Sequence, residues 1–193
     1  VNDASFKKGD QALGKTGVSF SHVAAMATAA AGAVQAAISG MVLSFAESAD
    51  ASGKFASRIG ASVEGLTSLQ HAVEQTSKVP FRQFTIGLQR MTRRISEANA
   101  GSVELGKAFG ELGLDVSKLA ELSPDEQFVA IADAMQKVES SGDQTRLTFK
   151  LFDSEAVGLV NTLRLGSDAI RDLQKEAHAL GIVLSDEDAK AAA

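Results

Sequence analysis

Pro80–Ala98 reads P-F-R-Q-F-T-I-G-L-Q-R-M-T-R-R-I-S-E-A, and its pattern decides the fold class. Phe84, Leu88, Met91 and Ile95 recur at steps of four, three and four. That is the period of an α-helix with one face to bury. Pro80 supplies an opening signal, because a proline at a helix start gives up no internal hydrogen bond. The opposite face carries Arg82, Arg90, Arg93 and Arg94, and Lys78–Ser96 holds five basic residues and no acid. This basic face is a candidate interaction surface for phosphates or an acidic partner. The plainer reading, which a charged helix face usually earns, is a solvated face or a partner for the acidic helix around Asp125–Glu139.

The same helical pattern runs outward in both directions. Upstream, Ser62 is placed to cap Val63–Thr76, whose apolar face is Leu66, Leu69 and Val73. Downstream, Gly101 breaks the chain, and short helices follow over Val103–Leu112 and Val116–Leu122. Ser123-Pro124-Asp125-Glu126 is a strong start signal, with Ser as cap, Pro at the first helical position and Glu at the third. It opens a helix carrying Phe128, Ile131, Met135 and Val138, which Ser141-Gly142 is expected to end. Helices over Asp143–Phe152, Glu155–Leu165 and Asp168–Leu180 come next, with Ser154 and Ser167 as expected caps. Ser185-Asp186-Glu187-Asp188 opens one more, its acids favourable to the helix dipole. No segment alternates at period two long enough for a strand.

Thr16–Ala46 stands apart, with no Asp, Glu, Lys, Arg or Pro. As one helix it would run about 45 Å, enough to cross a bilayer. Gly32, Ala36, Gly40 and Ser44 make a small-residue stripe, with Val34, Ile38, Met41 and Phe45 beside it. A small-residue ridge lets two helix backbones approach closely, in lipid or in protein. Few of its residues drive membrane insertion strongly, and no Trp or Tyr forms an interfacial belt. Three readings stay open: a close-packed or self-associating helix, a membrane-inserting helix, and an ordinary core helix.

Composition bounds the rest. The chain has 193 residues, 45% of them hydrophobic, which excludes general disorder. A net charge of -5 gives no wholesale affinity for nucleic acid. The absence of Cys removes disulfides, thiolate catalysis and cysteine metal sites. Lys7, Lys8 and Lys15 precede the apolar stretch, but it is too long and Ala-rich for a signal-peptide core. Val1 in place of Met, and an end inside a helix, predict a piece of a longer protein.

Chemical motifs are near misses. Gly101–Ala108 approximates a phosphate-binding loop, but Ala108 stands where Ser or Thr would ligate magnesium. Gly60–Gly65 approximates a nucleophile elbow with the wrong spacing, so Ser62 reads as a cap. His71 and Glu74 share a helix face without a third metal ligand. Asp186–Asp188 reads as a helix first turn rather than a cation site. No catalytic, cofactor or metal set is therefore expected.

The order of short pieces from Ala49 onward carries a resemblance. They are Ala49–Lys54, Arg58-Ile59-Gly60, Leu66–Ala72, Phe84–Met91, Ala108–Leu114, Leu122–Glu126 and Ile131–Ala134. Leu151-Phe152-Asp153, Leu163, Gly166, Glu176-Ala177 and Leu180–Ser185 complete the series, with Asp153 where Gly is more usual. In this order the chain resembles the N-terminal conserved module of phage and prophage tail tape measure proteins. Val1–Ala46 matches in character only. The resemblance implies a structural, non-enzymatic virion protein with no cofactor, lying in the tail lumen after assembly in the bacterial cytoplasm. Implied partners are the tail tube protein, tail chaperones, tail-tip proteins and parallel copies of itself. It also implies help in genome delivery at the host inner membrane, without sequence-specific binding of nucleic acid. The rival reading is a membrane-active, pore-forming helical protein acting through Thr16–Ala46.

The expected architecture is all-α. Residues 1–17 form a flexible lead-in and 18–59 a long Ala/Gly-rich helix. Residues 60–184 form an array or bundle of short amphipathic helices, and 185–193 begin another. Wholly helical, the chain would reach about 290 Å.

Overall fold

Each helix predicted downstream of Ser62 has a counterpart in the computed structural model, which describes residues 49–192. The first helix, α1, covers 49–59 and turns at Gly60, whose φ of 78° suits glycine. Then follow α2 (Val63–Ser77), α3 (Phe81–Asn99), α4 (Val103–Glu111) and α5 (Val116–Ala120). After these come α6 (Pro124–Gln136), α7 (Ser141–Phe152), a 3₁₀ helix (Ser154–Leu159) and α8 (Val160–Leu163). The last two are α9 (Gly166–Ala179) and α10 (Asp186–Ala192). The protein is all-helical, with no strand among the described residues. The small-residue stripe Gly32, Ala36, Gly40 and Ser44, and the expected helix upstream of residue 49, lie outside the described residues. Among the described residues no helix is long and apolar enough to cross a membrane.

The amphipathic patterns become one core. The α3 face Phe84, Leu88, Met91 and Ile95 is buried, as are Leu66, Leu69 and Val73 of α2 and Phe128, Ile131 and Met135 of α6. The helix α9 packs on α2 and α6, while α4, α5, α7 and the 3₁₀ helix gather on α3. The core's centre includes an edge-on pair, Phe128 and Phe152, with ring centroids 5.6 Å apart.

Local chemistry sets most helix starts. Ser62 Oγ accepts the Gly65 N–H at 2.9 Å. Asp115 Oδ1 accepts the Ser117 N–H at 3.0 Å. At α6 the Glu126 carboxylate accepts from the Ser123 backbone N–H at 3.3 Å and from its hydroxyl at 3.1 Å. These bonds satisfy groups that a helix end leaves orphaned.

Three boundary expectations are corrected. Ser141-Gly142 opens α7 rather than closing α6, because Ser140 Oγ accepts the Asp143 N–H at 3.2 Å. The end of α6 is instead held by Gln144 Nε2, which donates to the Met135 and Val138 carbonyls at 3.3 and 2.8 Å. The expected helix over Glu155–Leu165 is a 3₁₀ helix followed by the short α8, and Asp153 rather than Ser154 caps it. Ser167 caps nothing: its hydroxyl donates to Asp133 at 3.1 Å, and α9 starts at Gly166. Gly166 has φ of 80°, and a Cβ there would meet Gln136 Oε1 at 2.4 Å, so a larger residue would strain the backbone and displace the Gln136 side chain.

The chain closes on itself at α2. The Val63 N–H donates to Asp186 Oδ1 at 3.1 Å, and Gly53 of α1 lies against Ala189 of α10. Residues 123 apart in sequence thus touch, so the described helices are folded together rather than strung out.

Candidate interaction surface

The four arginines of α3 divide between outside and inside. Arg82, Arg90 and Arg93 are exposed, whereas the Arg94 side chain keeps only 17% of its surface. Arg93 Nε lies 3.5 Å from Glu97, one turn away on the same helix. Arg82 has no ion pair among the described residues and faces solvent. Arg94 reaches the C-terminal end of α7. Its Nη1 donates to the Phe149 carbonyl at 3.2 Å and to the Lys150 carbonyl. Its Nη2 lies 3.3 Å from Asp153 Oδ2, and Arg90 Nε lies 3.8 Å from the same atom. A guanidinium at the negative end of a helix dipole takes up carbonyls with no internal partner.

Asp153 is therefore the acid that Arg90 and Arg94 meet, and among the described residues none of the four arginines pairs with the helix around Asp125–Glu139. The Ser154 backbone N–H, then Arg94 and Arg90, hold its carboxyl below the usual aspartate range against the opposing effect of burial. Its backbone, at φ 74° and ψ 171°, occupies a region that is essentially glycine's alone. Beside it, Lys150 pairs with Glu104 of α4, whose carboxyl is lowered by the hydrogen bond and charge of that lysine. The outward part of this surface carries two large exposed apolar residues, Val103 and Phe149. Sequence reasoning overlooked Asp153 as an anchor by assigning the cap to Ser154; an aspartate one residue earlier is an equally good cap.

The other motifs resolve into structural roles. Gly101–Ala108 is a turn entering α4, preceded by α3 and not by a strand. Ser62 is a cap. His71 is buried, while Glu74 is exposed and accepts from Gln70 at 2.7 Å, so the two face different surroundings. Among the described residues no group of three or more His, Asp or Glu could hold a metal ion.

A cleft of about 410 Å³ opens between the starts of α2 and α6 and the side of α9. Glu64, Asp125 and Glu126 line one wall, and Arg171, Lys175 and His178 the other. His178 Nδ1 lies 3.5 Å from Glu64. Asp125 packs against Gly65, where a Cβ would come within 2.6 Å of its Oδ2. The two hydroxyls of the cleft are already committed. Ser62 Oγ caps α2, and Ser68 Oγ donates to the Gly65 carbonyl while accepting from Gln174 Nε2 at 3.2 Å. The cleft therefore gathers mixed charge without a hydroxyl paired to a base, as nucleophilic catalysis requires.

Comparison of the chain with protein-family models, curated proteins and solved structures returns no match.

Proposed function

We propose that this chain is a segment of a phage tail tape measure protein, in which residues 49–192 act as a folded head and length is set elsewhere in the parent. One observation carries the reading: the ordered series of pieces from Ala49 to Ser185 resembles that family. Within the series, Leu66, Leu69, Phe84, Leu88, Met91, Phe109, Ile131, Phe152 and Leu163 are core residues. Such a module is a structural unit acting through packing, with tail tube protein, chaperones and tail-tip proteins as partners and the virion tail as its place. The exposed arginines of α3, Arg82, Arg90 and Arg93, are its candidate docking surface.

Folding changes how the segment serves in a ruler. A continuous helix counts about 1.5 Å per residue. Residues 49–192 close on themselves through Val63 and Asp186, so they do not count at that rate. In-frame deletions in an extended helical part of the parent should shorten the tail by about 1.5 Å per residue removed. Deletions through residues 60–184 should abolish tails instead. Tails shortened in proportion to deletions inside 60–184 would contradict the folded head. Tails unchanged by every deletion would contradict the tape measure reading itself.

A second reading rests on the charge-free stretch Thr16–Ala46, a pore-forming helix. Liposome leakage by the whole chain, abolished in Gly32→Leu and Gly40→Leu, would favour it.

A further inference from the structure

The segment 153–163 is attached to the bundle mainly by tertiary contacts. It enters through Asp153, whose backbone sits where only glycine is at ease. It continues as a 3₁₀ helix, whose hydrogen bonds are poorer than an α-helix's. It leaves through α8, a single turn. What holds it is tertiary. At its entry, Arg90 and Arg94 of α3 close on Asp153 at 3.8 and 3.3 Å. At its middle, the Gly87 backbone of α3 leaves a notch that Ala156 and Leu159 fill. A Cβ at residue 87 would stand 2.8 Å from Ala156 Cβ and 2.9 Å from Leu159 Cδ1. Gly158 meets Val79 in the same close manner. At its exit, Thr162 Oγ1 lies 2.7 Å from Thr76 Oγ1 and 2.6 Å from Ser77 Oγ, and the Thr162 N–H donates to Ser77 Oγ at 3.1 Å.

We propose that residues 153–163 form a strap that undocks from α2, α3, α6 and α7 as one unit while those helices stay folded, with Asp153 and its two arginines as the catch. Local helix bonds tie the strap weakly, the backbone at Asp153 favours letting go, and three separate fastenings keep it seated. Opening bares the Gly87 face of α3, Val79, and the hydroxyls of Thr76 and Ser77. It also frees Arg90 to meet another acid, while Arg94 keeps its bonds to the α7 carbonyls, so docking on the basic surface and release of the strap are coupled through Arg90. The strap follows from the fold alone and does not depend on the tape measure reading.

Native-state hydrogen exchange on the whole chain tests it. The Ala156, Thr162 and Arg164 amides should exchange through an opening that spares Ile131–Met135 of α6. Asp153→Asn keeps an acceptor for the Ser154 N–H but removes the charge. It should speed exchange in the strap roughly five- to tenfold, leaving α6 unchanged. Gly87→Ala crowds the notch without touching Asp153 and should loosen the same amides. Strap amides as protected as α6 in the wild type would overturn the strap. So would equal acceleration throughout the chain in both variants. Acceleration in Gly87→Ala but none in Asp153→Asn would overturn the catch.

Discussion

The helix α6 and the segment 153–163 both send fully covered side chains into the core and yet are made in opposite ways. Phe128, Ile131, Ala132 and Met135 of α6 are fully covered, and so are Ala156, Leu159 and Leu163 of the strap. The start of α6 is fixed by its neighbours in sequence: Ser123 before it, Pro124 at its first position and Glu126 reaching back. The strap's start has a local cap, Asp153 Oδ1 accepting the Ser154 N–H at 2.8 Å, but its carboxylate is also gripped by residues some sixty positions away on α3. Burial alone does not tell how an element is held. What differs is whether its start is fixed by local groups alone or by distant ones as well.

Substitutions sharpen this contrast. The largest effect is expected from Phe128→Ala, which removes a fully buried ring facing Phe152 and should cost about 3–5 kcal/mol of global stability in denaturant unfolding. Gly87→Ala should cost about 1–3 kcal/mol by overpacking against Ala156 and Leu159. Its effect should fall on the strap, so a loss spread evenly over α6 would break the contrast. Ser123→Ala should cost about 0.5–1 kcal/mol, read as a lowered denaturation midpoint with unchanged slope.

The fold class and most helices were legible because their causes are local. The steps between Phe84, Leu88, Met91 and Ile95, the cap at Ser62 and the start signal at Ser123 all lie within a few residues of what they determine. The misplaced boundaries share the opposite property. Ser167 looks like a cap, but Asp133 takes its hydroxyl, and Gln136 crowds Gly166. The expected helix after Ser154 yields to a 3₁₀ turn fitted into the Gly87 notch. The candidate surface was legible as a row of arginines. The inward turn of Arg94 was not, because its partners, Phe149, Lys150 and Asp153, belong to another helix end.

Acid gives the smallest expected effect. The folded-state value of Asp153 is lowered, so its contribution is present above the ordinary aspartate range and is lost as pH falls through the folded value. A third of its side chain is exposed, which limits the size. Strap protection in the wild type, measured relative to the intrinsic exchange rate at each pH, should therefore fall on acidification below that range, while Asp153→Asn should show less of this fall.

The central claim is that residues 49–192 are a folded head and not a length of extended helix. With no native cysteine, Glu64→Cys and Glu187→Cys give two clean sites for spin labels on exposed positions next to Val63 and Asp186. The distance between them, measured in the free chain and, under the proposed tape measure role, in assembled particles, decides the matter. A short distance in both is the expected result, since Val63 and Asp186 are joined by a 3.1 Å hydrogen bond. A separation near the ~185 Å of a continuous helix between those positions, in either state, would contradict it.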